Sequence, residues 1–547
     1  MSTADRIRSL SWGDTFFLYL ERDGQPLNIA STCEFEGKIS LEACARFVES
    51  KLDLIPRYKQ RAVFPLLNLE LPTWEPDPHF DIRNHVREVV LRQGTDADLK
   101  REMARVVSSH LNRAHPLWDL TLVRGLKGNR TAIIFRIHHC LADGVSGVGL
   151  MNVLLDASPN PQKPPREKTQ PEGGQPKDSV AILLDRFLKS YQSIIEGALT
   201  AQTEVFNIAQ MLAGAAQGQT DQLIHLVPEL ATPSERLPFN KVCRGPQQVA
   251  WGEMAMSEIK AIRTSLGGTV NDVILTVVTS TLRRYSELHG TKVRGREIRI
   301  IVPVNVRGNG DVNKLGNRIT FLPVNVPLDV RDPRRLLERV GERITLLRGV
   351  GVPEMVGLFG KLVSKVPLPL QAALVPLLTE LPLSLSNTIC TNVPGPQLPL
   401  HLVGHKLQRC YPYVPIGGEL GLNVAILSYD GTAYFGFGGD VHAVPDIEVF
   451  EDLLRESIHE LRARAAAYES DEQETTREVH HPARTSPAKT KKTKAAKRIP
   501  KPKAKAATVP QPANKRRPVP RMIPVPFKPV VQGASAASTP VTAQAGD

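Results

Sequence analysis

Two adjacent histidines, His138 and His139, stand where an apolar segment gives way to a turn. Residues 131–137 are mostly β-branched or apolar, which is typical of a buried strand. Asp143 and Gly144 follow at the turn. A neutral imidazole, with a pKa of about 6.5, accepts protons near neutral pH. The arrangement therefore indicates general-base catalysis.

The same residues have plainer explanations, and these stay open at this point. A histidine and an aspartate at a turn commonly form a satisfied polar corner. Two histidines and an aspartate could also bind a metal ion, but no further His, Cys or carboxylate cluster lies nearby in the sequence to complete such a site. The sequence therefore predicts no metal site.

The string HHCLADG resembles the HHxxxDG signature of the bacterial wax ester synthase/diacylglycerol acyltransferase family. Three further segments resemble motifs of that family in the same order: PLW at 116–118, ND at 271–272 and NVPGP at 392–396. Peptide-synthetase condensation domains share HHxxxDG, so the three further motifs are what distinguish the acyltransferase family from them. The resemblance covers about residues 8–468.

The resemblance implies roles for the residues of the signature. His139, at the HxxxD spacing, would take the proton of an acceptor hydroxyl, with His138 as its supporting neighbour. Asp143 and Gly144 would hold the turn. In such acyltransferases the motif aspartate commonly pairs with an arginine. Arg307, at the end of a predicted strand, is the candidate, and the alternative is a surface arginine beside a loop.

Three residues outside the signature are candidates for support. Asn271 is the first candidate for donating a hydrogen bond to the tetrahedral oxyanion, with Asp272 beside it. An asparagine at a helix start is as often a cap, and that alternative stays open. Trp118 is expected to be a core anchor that supports the site. The implied chemistry needs no cofactor beyond acyl-CoA as co-substrate, no metal and no covalent enzyme intermediate.

The implied fold class is α/β (α+β), with two chloramphenicol-acetyltransferase-like domains that have mixed sheets and flanking helices. The active site would lie at their interface. A length of 547 residues agrees with more than one domain. The predicted division is an N-terminal domain with HHxxxDG (1–156), a linker with connecting helices (157–237), a C-terminal domain (238–468) and a disordered Lys/Pro/Ala-rich tail (469–547).

The net charge of +13 belongs to the tail. Residues 481–547 hold fifteen Lys or Arg and one acidic residue, a net of +14, which leaves residues 1–480 at about −1. Such a composition cannot bury enough apolar surface to fold. An anionic membrane or lipid-droplet surface is the predicted ligand, with nucleic acid less favoured. A solubilising tail without a partner stays an alternative.

Cysteine usage and hydropathy bear on location. The six cysteines show no CxxC pair, which predicts free thiols in a reducing cytoplasm. The first residues lack the apolar core of a signal peptide. The uncharged apolar residues 366–379 hold three prolines and are shorter than the roughly 20 residues that a span requires. We expect a cytoplasmic protein associated peripherally with the inner membrane or lipid droplets.

The implied reaction moves a fatty acyl group from acyl-CoA to diacylglycerol, giving triacylglycerol, or to a long-chain alcohol, giving a wax ester. Two other classes stay open. One is a condensation-type acyltransferase that uses a carrier-protein thioester. The other is a non-catalytic lipid-droplet or nucleic-acid-associated protein that acts through the basic tail. The sequence predicts no oligomeric state.

Overall fold

The computed structural model describes residues 9–65, 70–141, 144–160, 232–305, 319–350, 352, 371 and 385–480. Its helices are α1 (Trp12–Leu20), α2 (Leu41–Leu52), α3 (Asp96–Val107), α4 (Gly144–Leu154), α5 (Met256–Leu266), α6 (Val270–Leu288), α7 (Pro333–Gly349) and α8 (Val449–His480). Its strands are β1 (Asn28–Glu36), β2 (Gln60–Val63), β3 (Thr73–Pro76), β4 (Val86–Val90), β5 (Trp118–Leu126), β6 (Arg130–His138), β7 (Gln247–Ala255), β8 (Glu297–Asn305), β9 (Ile319–Pro327), β10 (Thr388–Pro394), β11 (His401–Leu402), β12 (His405–Tyr413), β13 (Leu422–Tyr429) and β14 (Thr432–Asp440).

The first sheet positions the histidine pair. Its strand order is β11-β12-β1-β6-β5-β4, so β6 lies inside the sheet between β1 and β5, antiparallel to both. The apolar residues of β6 are buried except for Phe135, which is half-buried, in agreement with the buried strand that the pattern at 131–137 predicts. The pair β4–β5 is parallel, which makes the sheet mixed. Because both neighbours bond to β6, the end of this strand is held on two sides.

The second sheet has the order β7-β14-β13-β10-β8-β9. Strand β10 runs parallel to both β13 and β8, and the other pairs are antiparallel. Helices α5, α6, α7 and α8 pack together, and their buried residues share one core with this sheet. The two mixed sheets with flanking helices confirm the predicted fold class.

The sheets do not follow the predicted division of the chain. Strands β11 and β12 come from the segment assigned to a C-terminal domain at 238–468, yet they lie in the first sheet. There β12 pairs with β1, with Cys33 opposite Cys410. The reason is physical: an alternating pattern predicts a strand, but it does not encode which sheet edge the strand joins.

The predicted disordered tail starts at residue 469, inside a segment that the structure describes as helix. Helix α8 continues to His480. Residues 469–480 include four Glu, a residue type that favours helix without needing a core. Residues 481–547 lie outside the described residues, and so do most of the predicted linker and connecting helices at 157–237.

A close crossing of β12 and β14 gives a test of the packing between the two sheets. A Cβ atom on Gly436 would stand 1.8 Å from the carbonyl oxygen of Pro412. We expect Gly436→Ala to lower the free energy of unfolding by about 1–3 kcal/mol, because the backbones must separate. Urea unfolding followed by circular dichroism measures this.

Gly349→Ala is the matched control for that substitution. Gly349 ends helix α7, and a Cβ atom there meets no heavy atom within 4 Å. We expect its urea midpoint to stay at or slightly above that of the wild type. Equal midpoints for Gly436→Ala and Gly349→Ala would show that the crossing is looser than described.

Candidate active site

The backbone of the histidine pair is bonded from both sides. The N–H of His138 donates to the carbonyl oxygen of Leu117 at 2.9 Å, and the N–H of His139 donates to that of Leu27 at 2.8 Å. Leu117 belongs to the PLW segment, so this motif holds the end of β6 directly. His139 thus leaves the sheet at a defined position, as a base must.

An aromatic side chain covers the ring of His139. The ring of Phe17 stacks on the imidazole with a centroid distance of 3.7 Å and an interplanar angle of 16°. Phe17 lies on α1, whose N-cap is Ser11, with its Oγ accepting from the N–H of Asp14 at 3.1 Å. Sequence reasoning missed this helix, although its aromatic run at 12–20 was a signal. The stacked phenyl ring restricts the plane of the imidazole and shields one face from water.

The two histidines have different environments. The side chain of His138 is 1% exposed, and its Nδ1 accepts from the N–H of Cys140 at 3.1 Å. A nitrogen that accepts this bond carries no proton, so the proton of the neutral ring lies on Nε2. The Nδ1 atom of His138 is therefore engaged in a hydrogen bond within the turn. This supports the prediction that it is the neighbour and His139 the base.

Cys140 follows the histidine pair but is not a reactive thiol. Its side chain is buried, and burial together with the negative charges of Asp14 and Glu21 raises the pKa of the thiol well above its usual value. The nucleophilic form of cysteine is the thiolate, which this environment disfavours. Cys140 is therefore not a candidate nucleophile beside His139.

Trp118 is a structural anchor. It is 1% exposed, its indole N–H donates to the carbonyl oxygen of Tyr58 at 2.8 Å, and its ring stacks on His85 at 4.6 Å. These contacts tie the start of β5 to neighbouring segments. Trp118 therefore supports the strand beside β6, as expected from its position in the PLW segment.

The structure brings together the ND and NVPGP segments. The side-chain amide of Asn392, at the end of β10, donates to Oδ1 of Asn271 at 3.3 Å. In this pairing the side-chain N–H groups of Asn271 are the ones that could donate to an oxyanion. Helix α4, which follows the histidine turn, packs against β10. The three motifs are thus linked by successive contacts.

The helix cap beside Asn271 is a different residue. Thr269 is the N-cap of α6, and its Oγ1 accepts from the N–H of Asp272 at 3.2 Å. Asp272 completes a capping box by accepting from the N–H of Thr269 at 2.8 Å. The alternative that Asn271 is the cap is therefore wrong. Asp272 is engaged in holding the helix start.

Two predicted site residues, Asp143 and Arg307, lie outside the described residues, so their pairing stays a prediction. Gly144 was predicted to lie in the turn, and in the structure it is the first residue of helix α4. Within the described ranges, no three His, Cys, Asp or Glu side chains are grouped so that they could hold a metal ion.

Comparison with models of protein families gives two matches. The model of the wax ester synthase/diacylglycerol acyltransferase catalytic domain matches residues 10–274, and that of the family's C-terminal domain matches residues 315–462. Together they span most of the chain and contain all four motifs. The chain belongs to the wax ester synthase/diacylglycerol acyltransferase family.

Individual members of this family are similar to this chain over most of their length. A probable diacylglycerol O-acyltransferase of Mycobacterium tuberculosis H37Rv is 28% identical over 416 residues, which cover 74% of this chain and 84% of the relative. A second probable diacylglycerol O-acyltransferase of the same organism is 27% identical over 463 residues, covering 82% and 97%.

Solved structures agree on the fold. The wax ester synthase/diacylglycerol acyltransferase from Marinobacter aquaeolei VT8 superposes with a TM-score of 0.59 at 21% identity, covering 84% of this chain and all of that one. The starter condensation domain of rhizomide synthetase, a mutant in complex with C8-CoA and Leu-SNAC, gives a TM-score of 0.51 at 16% identity, covering 85% and 96%. This chain thus resembles the condensation domain in fold.

Proposed function

We propose that this chain transfers a fatty acyl group from acyl-CoA to the hydroxyl of diacylglycerol, forming triacylglycerol, and that long-chain alcohols are a second acceptor class. The observation that carries the proposal is the pair of family matches, which span both sheets. The relatives named as diacylglycerol O-acyltransferases favour diacylglycerol as acceptor. The condensation domains are similar in fold alone, so the carrier-protein alternative has less support.

The mechanism follows from His139. Its imidazole takes the proton of the acceptor hydroxyl while the oxygen attacks the thioester carbonyl, so a C–O bond forms as the proton leaves. The tetrahedral oxyanion is stabilised by hydrogen-bond donors, for which Asn271 is the candidate. The intermediate then expels CoA as thiolate with cleavage of the C–S bond, and the imidazolium returns its proton to the thiolate.

Product identity tests the proposal. Labelled palmitoyl-CoA is supplied to the purified wild-type protein with diacylglycerol and hexadecanol, separately and in competition. We expect labelled triacylglycerol with diacylglycerol alone, a wax ester with hexadecanol alone, and mainly triacylglycerol in competition. Labelled product from neither acceptor would refute the assignment.

We also propose that the protein acts from the cytoplasm as a peripheral enzyme on an anionic lipid surface, through the basic tail at 481–547. None of the described helices is both long and apolar enough to cross a bilayer. Each Lys or Arg near an anionic bilayer contributes about 1 kcal/mol, so the fifteen in the tail are sufficient for binding.

Truncation after His480 separates the tail from catalysis. We expect the shortened protein to keep its turnover of soluble short-chain substrates, because both sheets and α8 remain, and to lose binding to phosphatidylglycerol vesicles. The full chain should bind these vesicles at low salt and release them as salt rises. Phosphatidylcholine vesicles are the control. Equal vesicle binding by both proteins would assign the membrane contact elsewhere.

A further inference from the structure

Glu21 belongs to none of the four motifs, yet its carboxylate lies directly behind the histidine turn. It is the C-cap residue of α1, the helix that carries Phe17. Its side chain is 4% exposed. Oε1 lies 3.4 Å from Nε2 of His138 and accepts from the N–H of Leu27 at 3.1 Å. A buried carboxylate is costly unless such partners compensate for the lost hydration.

The carboxylate is ionised in this setting. Burial opposes ionisation, but His138, Arg113 and the amide of Leu27 outweigh it and lower the pKa of Glu21 to about 2. Glu21 therefore offers only acceptor oxygens at neutral pH. Nε2 of His138 needs an acceptor, because its Nδ1 already accepts from the N–H of Cys140.

Two routes connect this carboxylate to His139. In the first, Oε1 of Glu21 lies 3.4 Å from Nε2 of His138, and Nδ1 of the same ring accepts from the N–H of Cys140, so the carboxylate is linked to both chain neighbours of His139. In the second, Glu21 accepts from the N–H of Leu27, and the carbonyl oxygen of Leu27 accepts from the N–H of His139. The two routes restrain the turn on both sides of the base.

The other partners of Glu21 do not account for its burial. Arg113 contacts Oε2 at 2.9 Å and His110 lies 3.4 Å from Oε1, but their side chains are 42% and 36% exposed. Such pairs form equally well at a surface, where they contribute little. The contacts that require a buried carboxylate are those with His138 and Leu27.

We propose that Glu21 is a positioning residue for the acyl-transfer reaction, holding His138 and Leu27 so that the turn presents His139 in the geometry of a base. The inference rests on the proposed function, because it assigns Glu21 a role in the reaction of His139. It adds a carboxylate from the first helix to a site otherwise built from the four motifs.

Kinetics of Glu21→Gln, which preserves the shape of the side chain, test the role. We expect kcat to fall about tenfold with KM for palmitoyl-CoA and diacylglycerol nearly unchanged, since a displaced base slows chemistry without weakening binding. Arg113→Met is the matched control, because it removes the partner of Oε2 and keeps Oε1. Its thermal stability should fall only slightly, because an exposed pair contributes little, and its kcat should stay near wild type.

A double-mutant cycle with His138→Ala distinguishes positioning from general stabilisation. Because one of the two routes passes through His138, the double variant should lose less kcat than the product of the two single losses. Multiplying losses, or a Glu21→Gln kcat equal to that of wild type, would overturn the proposal. Equal losses of kcat in Glu21→Gln and Arg113→Met would do the same.

A readout independent of turnover separates this inference from the proposed function. In protein labelled with ¹⁵N-histidine, the Nε2–H signal of His138 is assigned by its disappearance in His138→Ala. We expect this proton downfield in wild type and in Arg113→Met, and shifted upfield or lost to exchange in Glu21→Gln. An unchanged signal in Glu21→Gln would refute the contact even if the enzyme is active. The expected shift in a protein that makes no neutral lipid would refute the proposed function alone.

Discussion

His139→Ala should lower the turnover of palmitoyl-CoA with diacylglycerol by about two orders of magnitude or more. Alanine removes the base but leaves the backbone bond from residue 139 to Leu27, so the turn can form as before. The loss should fall on kcat, because the imidazole acts on the hydroxyl proton in the transition state. Steady-state kinetics with labelled palmitoyl-CoA measure both constants.

His459→Ala is the control for this substitution. His459 is an exposed residue of α8, on the second sheet's side of the fold. Its variant should match wild type in kcat and in thermal midpoint. Should His139→Ala retain more than about a tenth of wild-type kcat, the general-base role would be wrong, since such a small loss is below the range for a positioned base.

Asn271→Ala should lower kcat by about 100-fold, the usual cost of losing one donor to a tetrahedral oxyanion. Its Oδ1 is engaged with Asn392, which orients the side-chain N–H groups in a fixed direction. Asn392→Ala should give a smaller loss, because it frees the orientation of Asn271 and keeps the donor. The comparison is made under saturating palmitoyl-CoA and diacylglycerol.

Thr269→Ala is the control that shows whether a loss of kcat in Asn271→Ala comes only from a weakened start of helix α6. It removes the cap of α6 and should lower stability by about 1 kcal/mol, with kcat near wild type. If Asn271→Ala behaves like Thr269→Ala, losing stability and keeping kcat, Asn271 is a structural residue and the oxyanion donor lies elsewhere.

Local sequence patterns were sufficient for the elements that carry the histidines. The apolar residues at 131–137 and the turn after them predicted a buried strand just before the histidine pair, and the structure has β6 there, ending at His138. Trp118 was predicted as a core anchor, and it is buried. These features depend on residues that are close together in the sequence, and the periodicity of apolar residues reflects such local relations.

Such local patterns could not predict the tertiary contacts. Phe17 and Glu21 are more than a hundred residues from His139 in the chain, and no spacing rule connects them to it. The same holds for β12, which pairs with β1 across the chain. The sequence left the role of Asn271 at the start of α6 open for another reason: Thr269 and Asn271 are both good cap residues, and only the backbone shows which one precedes the first turn.

The most direct test of the account follows the release of CoA thiol from palmitoyl-CoA by wild type and His139→Ala, each with and without diacylglycerol. The account predicts rapid release by wild type only when diacylglycerol is present, matched by triacylglycerol, and almost none by the variant. Release that is equally fast in both proteins, or that does not depend on the acceptor, would contradict acyl transfer by His139 to a hydroxyl.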